Sequence, residues 1–316
     1  WFHGAPGIWQ DVFLEKTEGC RASDILIDCV FTEEAADISG DVFWVPEGGE
    51  KTGLVLQAEE GGDIRCCAGT FLTGLFRLTA EYETACTEYI RILAGEKELC
   101  ASEWDASGEE GYYDRKTLYM YLEGEQSFVI SGQSPGLRVK RAEIERIFLP
   151  AEVLVGLEGS VWRGKAQLWE DGTIRSRFTF GRAQVRPWAP ETPRLFQIRA
   201  EAVSESGEVT RSVRQAGIRK TGTGKYFRLN DRDIYIRGVL DQGYNPWGIY
   251  TYLSRNGGKG SMEYDIRKAK QYGYNLIRMH IKDNEPGWYR LCDEQGMLVW
   301  NEHPSDFYGK CDDPKW

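Results

Sequence analysis

Three histidines and four methionines are few for 316 residues, and no stretch of the sequence is both long and apolar. A membrane-spanning helix needs roughly 18 or more consecutive apolar residues, so no membrane partner is expected. Positive charge is in deficit: 39 Lys and Arg stand against 49 Asp and Glu, for a net charge of −10. Nucleic acid and anionic membrane surfaces both select a cationic face, and this balance argues against either as the main partner. The only imidazoles are His3, His280 and His303, and there is no C-x-x-C pair, so no metal site is expected. There is no N-x-S/T sequon. The eight cysteines, with Cys66 and Cys67 adjacent, are even in number. A chain of this length builds hydrophobic cores without covalent staples, so buried free thiols are the expectation. These features lean toward a reducing compartment, the cytoplasm. The sequence opens at Trp1 and stops at Trp316 within a patterned stretch, which reads as an internal piece of a longer protein. On that reading the lack of a signal segment assigns no location.

What is abundant is aromatic surface and glycine: 13% of residues are aromatic, with 11 Trp and 16 Tyr, and there are 36 Gly. Hydrophobic residues at 41% and charged residues at 28% complete a folded, globular composition. Most of residues 1–220 alternates with period two. Phe76, Leu78, Ala80 and Tyr82 share a face; Ile90, Ile92 and Ala94 do the same before a turn at Gly95. Leu118, Met120 and Leu122 continue through a turn at Glu123–Gln126 to Phe128 and Ile130. Residues 173–180 and 195–203 alternate again, the latter through Phe196, Ile198, Ala200 and Ala202. Short alternating runs between Gly-, Asp- and Ser-rich turns predict β-sandwiches.

The pattern changes near residue 225. Phe227 to Ile236 reads as a hairpin around Asn230-Asp231, and Ile234 to Leu240 as a strand. Ser261 is an N-cap before Met262, Ile266 and Ala269, and Gly273 closes that helix. Asn275 to Ile281 is a second strand. Pro286 begins a second helix that ends at Gly296, and Met297 to Glu302 is a third strand. This βαβαβ order predicts parallel strands with right-handed crossovers. A closed (β/α)8 barrel takes about 250 residues, so a barrel cut short is expected. Two Gly-Lys strings, "TGTGKY" at 221–226 and "NGGKGS" at 256–261, lack the spacing of a phosphate loop.

Several segments resemble glycoside hydrolase family 2, the β-galactosidase, β-glucuronidase and β-mannosidase group. Gly7-Ile8-Trp9-Gln10-Asp11-Val12 resembles the closing strand of that family's N-terminal jelly roll. Trp188-Ala189-Pro190-Glu191-Thr192-Pro193-Arg194-Leu195-Phe196 and Gly217-Ile218-Arg219 resemble segments of its immunoglobulin-like domain. "FRLNDRDIYIRGVLDQGYNPWGIYT" resembles the first barrel strand, and "DIRKAKQYGYNLIRMHIKDNEPGWYRLCDEQGMLVWNEHP" resembles helix one through strand three. The resemblance implies all-β sandwiches followed by the first three βα units of a truncated TIM barrel. It places a jelly-roll tail at 1–20 and an immunoglobulin-like sandwich at 21–44 and 151–218; residues 45–150 do not fit it, and their strand pattern reads as an inserted jelly-roll-like β-sandwich with a faint likeness to carbohydrate-binding modules. The barrel portion covers 219–316.

Retaining glycoside hydrolysis uses two carboxyl groups about 5 Å apart, one as acid and base, the other as nucleophile. In the resembled family these are glutamates after strands four and seven, so no catalytic residue is expected within this chain. Asn301-Glu302 imitates the acid/base motif but sits after strand three. The resemblance implies that Arg278, Asp241, Gln242, His280, Trp247, Trp300 and Glu302 bind sugar, each weighed against a rim or core role. In the insert, Trp104, Tyr112 and Tyr113 either stack on sugar or plug the end of the sandwich. Leu240-Asp241-Gln242-Gly243 and Asp306-Phe307-Tyr308 stand where the β-galactosidase pattern has Asn-Arg-His-Glu and a magnesium-binding Glu-Thr-His, which puts that metal and galactose specificity in doubt. No cofactor is implied. The expected partner is a carbohydrate, and self-association of the whole protein stays open. A non-catalytic carbohydrate-binding protein or scaffold with the same modules is the alternative.

Overall fold

A computed structural model describes residues 19–31, 36–59, 62–107, 113–132, 136–183, 186–244 and 258–302. In chain order, β1 (Arg21–Phe31) and β2 (Ala36–Val45) come first. They are followed by β3 (Glu47–Gly53), β4 (Val55–Ala58), β5 (Ile64–Glu83), β6 (Glu88–Ala94), β7 (Lys97–Trp104), β8 (Asp114–Ser131) and β9 (Arg138–Phe148). The next group is β10 (Glu152–Leu157), β11 (Ser160–Gly164), β12 (Gln167–Leu168), β13 (Ile174–Ala183), β14 (Phe196–Val203) and β15 (Val209–Ala216). A small meander, β16 (Thr221–Thr223), β17 (Phe227–Leu229) and β18 (Arg232–Asp233), leads to β19 (Gly238–Asp241), α1 (Met262–Gln271), β20 (Leu276–Met279), α2 (Pro286–Gln295) and β21 (Leu298–Asn301).

Two four-stranded antiparallel sheets, ordered β1-β2-β13-β12 and β11-β10-β14-β15, enclose one core. Period-two alternation puts Ile38, Val42 and Trp44 on the inner face of one sheet, and Val153, Val155, Ile198 and Ala200 on the inner face of the other. The one polar atom of Trp44 is satisfied inside: its Nε1 donates to Ser176 Oγ at 3.0 Å, and Ser176 Oγ donates to Lys165 O at 3.0 Å.

Residues 47–148 make up the inserted β region. Their strands form one continuous seven-stranded antiparallel sheet, ordered β3-β9-β5-β8-β6-β7, with β4 on the first part of β5. The turn expected at Glu123–Gln126 does not divide the strand. β8 runs through it for 18 residues, opposite the 20-residue β5. Register shifts between Cys67 and Thr73 mark bulges in β5 where the ladder bends. Residues from five strands then gather in one cluster, with Cys66, Phe128 and Ile130 beside Ile90, Ile92 and Ile144.

The meander turns through Asn230 and Asp231, at φ 52° and 62°. Two left-handed residues are what a tight hairpin turn requires, and Asn and Asp tolerate them. β19 begins later than the alternation of Ile234 to Leu240 suggests. The Asn275 amide fills the gap before the ladder opens: Arg237 N donates to Asn275 Oδ1 at 2.8 Å, and Asn275 Nδ2 donates to Tyr235 O at 2.9 Å. β19, β20 and β21 then pair in parallel, with Val239, Ile277 and Val299 in register. These three face the helices, around Met262, Ile266, Met279, Trp288 and Cys292.

Trp188 wedges the sandwich against the α/β unit. It is buried, its Nε1 donates to Asp293 O on α2 at 2.8 Å, and its carbonyl accepts from Asn230 Nδ2 at 2.9 Å. Lys270 on α1 completes the joint: its Nζ donates to Pro190 O at 2.8 Å, to Gly296 O at 3.2 Å and to Gln295 O. A cation is favoured there, because the last carbonyls of α2 carry the negative end of the helix dipole.

Candidate functional site

The carboxyl ends of three adjacent parallel strands are where α/β sheets build sites, because the loops leaving them are free to vary. Here those ends are held level: His280 N donates to Asp241 O at 2.8 Å, and Glu302 N donates to Met279 O at 3.0 Å. Side chains alternate between the helix face and the opposite face. Leu240, Arg278 and Trp300 are in register on the opposite face.

Five of the expected residues meet there. Arg278 Nε donates to Glu302 Oε1 at 2.7 Å, and a second guanidinium nitrogen lies 2.5 Å from the same oxygen. The other carboxylate oxygen of Glu302 faces His280 Nε2 at 3.8 Å. The far side of the His280 ring, Nδ1, lies 3.3 Å from Gln242 Nε2. The Arg278 guanidinium also sits 5.6 Å from the centre of the Trp300 ring, which is 59% exposed. Guanidinium, amide and imidazole donors beside a carboxylate acceptor and an open indole match the needs of a polyhydroxylated ring.

Asp241 shares the rim but not this cluster. Its Oδ1 accepts from Gly243 N at 2.7 Å and so closes its own turn. Trp247 and Tyr112 lie outside the described residues, as do the Gly7–Val12 segment and Asp306-Phe307-Tyr308. Trp104 corrects the stacking expectation. It is fully buried at the end of β7, its ring 4.5 Å from that of Tyr82, because the strand's alternation turns it into the core. It is the plug of the alternative reading. Tyr113 is half-buried, with Lys140 Nζ 4.9 Å from its ring centre.

The structure adds residues to which the sequence reading gave no role. Tyr289 on α2 donates from its hydroxyl to Asn301 Oδ1 at 2.8 Å and accepts from Asn284 N at 3.0 Å. Asn301 Nδ2 donates to Asp283 Oδ1 at 2.6 Å. Burial raises the Tyr289 hydroxyl above its ordinary range, which keeps it a donor. Lys282 is buried beneath the β19 turn, and its Nζ donates to Gly243 O at 3.0 Å. Burial lowers the Lys282 ammonium from its ordinary range, against the opposing pull of Asp241 and Glu285. The Arg-x-His-x-Lys spacing was the available signal for Lys282. Among the described residues no group of three or more His, Cys, Asp or Glu is arranged to hold a metal ion, and no helix is long and apolar enough to cross a membrane.

Fold and rim together define a class: a β-sandwich carrying a second sheet, fused to parallel βα units whose strand ends bring Gln242, Arg278, His280 and Glu302 together. No family model matches the chain. Beta-galactosidase 2 of Enterobacter cloacae is 28% identical over 208 residues, a match covering 55% of this chain and 19% of that protein. The beta-galactosidase of Photobacterium profundum is 30% identical over 137 residues, covering 41% and 13%. Among solved structures, a GH2 beta-galacturonidase from Eisenbergiella tayi bound to galacturonate is similar over 94% of this chain and 60% of that one, at 16% identity and a TM-score of 0.41. The chain thus spans about a fifth of the length of the curated relatives it matches (19% of the first named). Over 208 and 137 residues respectively the chain is similar to these two β-galactosidases, in line with the glycoside hydrolase family 2 resemblance of its sequence.

Proposed function

We propose that the chain is part of a retaining glycoside hydrolase acting on β-linked sugars. The βαβαβ unit is the opening of a (β/α)8 barrel, and the two catalytic glutamates come from later barrel strands. The observation that carries this reading is the convergence of Gln242, Arg278, His280 and Glu302 at one end of three parallel strands. The open face behind them supports it: Leu240 and Trp300 are 48% and 59% exposed, whereas parallel sheets are ordinarily covered on both faces. In this mechanism Arg278 fixes Glu302, so that its carboxylate accepts from a sugar hydroxyl. Gln242 orients the His280 ring, and Trp300 offers its face to the C–H side of a pyranose. Glu302 is a binding group, since a retaining enzyme needs a second carboxyl about 5 Å away as its partner.

Titration calorimetry of the 316-residue chain with methyl β-D-galactopyranoside and methyl β-D-glucuronide tests the assignment. At least one glycoside is expected to bind, and Arg278→Ala should weaken it by about tenfold, the cost of one charge-assisted contact. The chain alone should not hydrolyse aryl β-glycosides. Binding indifferent to Arg278→Ala would sink the reading, as would hydrolysis by the chain that disappears in Glu302→Gln.

A further inference from the structure

Beneath the rim lies a cation that the sugar-binding reading does not use. Lys282 is only 4% exposed. Its stem runs so close under Gly243 that a Cβ added there would fall 2.5 Å from Lys282 Cδ, and its Nζ donates to Gly243 O at 3.0 Å. Gly243 holds φ at +67°, a region open to glycine and costly for other residues. The same glycine donates its N–H to Asp241 Oδ1. One turn is therefore gripped at both ends of Gly243, by a carboxylate from its own strand and an ammonium from the next. The route by which Lys282 gets there is itself unusual. Ile281, a β-branched residue, sits at φ +53°, a conformation such residues rarely occupy. That kink follows directly on His280, which stays beside Gln242 and Glu302 while Lys282 drops below the turn.

We infer that Lys282 is a positioning residue: through Gly243 it sets the β19 turn, and so fixes Gln242 against His280 for sugar binding. It touches no substrate. Burying an ammonium is costly unless it is paired and hydrogen-bonded. A lysine used only as filler would be replaced by an apolar side chain at no cost to the turn above it. The inference rests on the proposed sugar-binding reading for its purpose, but the restraint itself can be measured without a sugar.

Amide hydrogen exchange of the full chain, wild type against Lys282→Met, gives the test. Protection of the Gly243 and His280 amides, which donate to Asp241 Oδ1 and Asp241 O, should fall by about tenfold or more, as expected of local opening. Protection at Ile266 and Ile277, in the core under the helices, should stay within about twofold, because local and global opening are separate events. Unchanged protection at Gly243, or an equal fall at all four positions, overturns the inference. If Lys282→Met does not fold, Gly243→Ala, which drives a Cβ into the lysine stem, is read by the same criterion at positions 243 and 280. Calorimetry with methyl β-D-galactopyranoside then separates the two readings. A loosened turn with unchanged affinity removes the purpose assigned to Lys282 and leaves Arg278 and Glu302 as the sugar ligands.

Discussion

The sandwich and the seven-stranded sheet bury their apolar side chains between strand faces, and Ile147 of β9 joins the sandwich core. The α/β unit buries its own on one side only. Ile38, Val155 and Ile198 meet across two sheets, and Phe76, Ile92 and Met120 gather within one bent sheet. In the α/β unit Val239, Ile277 and Val299 have helices against them, but Leu240 and Trp300 on the reverse face are open. Antiparallel sheets commonly leave one face to solvent, whereas parallel ones rarely do. The first two regions therefore cover their apolar faces with strands, partly each other's. The third is covered by helices on one face and exposes Leu240 and Trp300 on the other, and the candidate site lies on the exposed side.

Substitutions can break or sharpen this contrast. Trp104→Ala should have the largest effect, a loss of about 3–5 kcal/mol typical of a buried Trp. It should act on the seven-stranded sheet while leaving α1 and α2 folded, as urea unfolding followed by hydrogen exchange would read. A loss shared equally by all regions would mean that the regions do not stand alone. Gly296→Ala comes next. Gly296 sits at φ +73°, and an added Cβ would meet Pro190 O at 2.3 Å. Backbone strain of this kind costs about 1–3 kcal/mol, and here it should appear as a lower melting temperature of the α/β unit. Ser261→Ala removes the oxygen that accepts from Tyr264 N at 3.1 Å and should cost about 1 kcal/mol, the usual value of an N-cap.

Trp300→Ala should change stability by less than about 0.5 kcal/mol, as for other surface positions, while weakening glycoside binding in calorimetry. A large stability loss would mean that the open face is already packed. The smallest signal is thiol chemistry. Burial pushes Cys66 up to about 12 and raises Cys292 as well, whereas Cys86 is exposed. At pH 8 iodoacetamide should alkylate Cys86 well before Cys66 and Cys292, by peptide mass spectrometry. Alkylation of Cys66 or Cys292 at the rate of Cys86 would mean that the core holding it opens freely.

The α/β unit was the most legible part of the sequence, because its punctuation is chemical. Ser261, Pro286 and Gly296 each do something that few other residues can at a helix end, and the helices begin and end at them. Strand limits were less legible. Ile234 to Arg237 alternates as a strand should, but its backbone is taken up by the Asn275 side chain, a non-local bond that periodicity cannot register. The insert's alternation revealed the faces but not the number of sheets, since a bulge in β5 and an unbroken β8 leave the hydrophobic period almost intact. At the site, Arg278, His280, Gln242 and Glu302 were picked out by the family resemblance, which puts them at strand ends. Lys282 escaped notice because its role depends on a kink at Ile281, and isoleucine gives no warning of a left-handed backbone. Trp104 had two readings from its polar neighbours, and strand alternation decided between them.

The wedge at Trp188 has a practical consequence for anyone dissecting the chain. A fragment begun at residue 219, where the β modules give way, would leave behind the indole that holds Asp293 O and the Pro190 carbonyl that holds Lys270. The expressible unit carrying the rim therefore starts upstream of Trp188, and truncation libraries that respect the apparent module border will cut through its foundation.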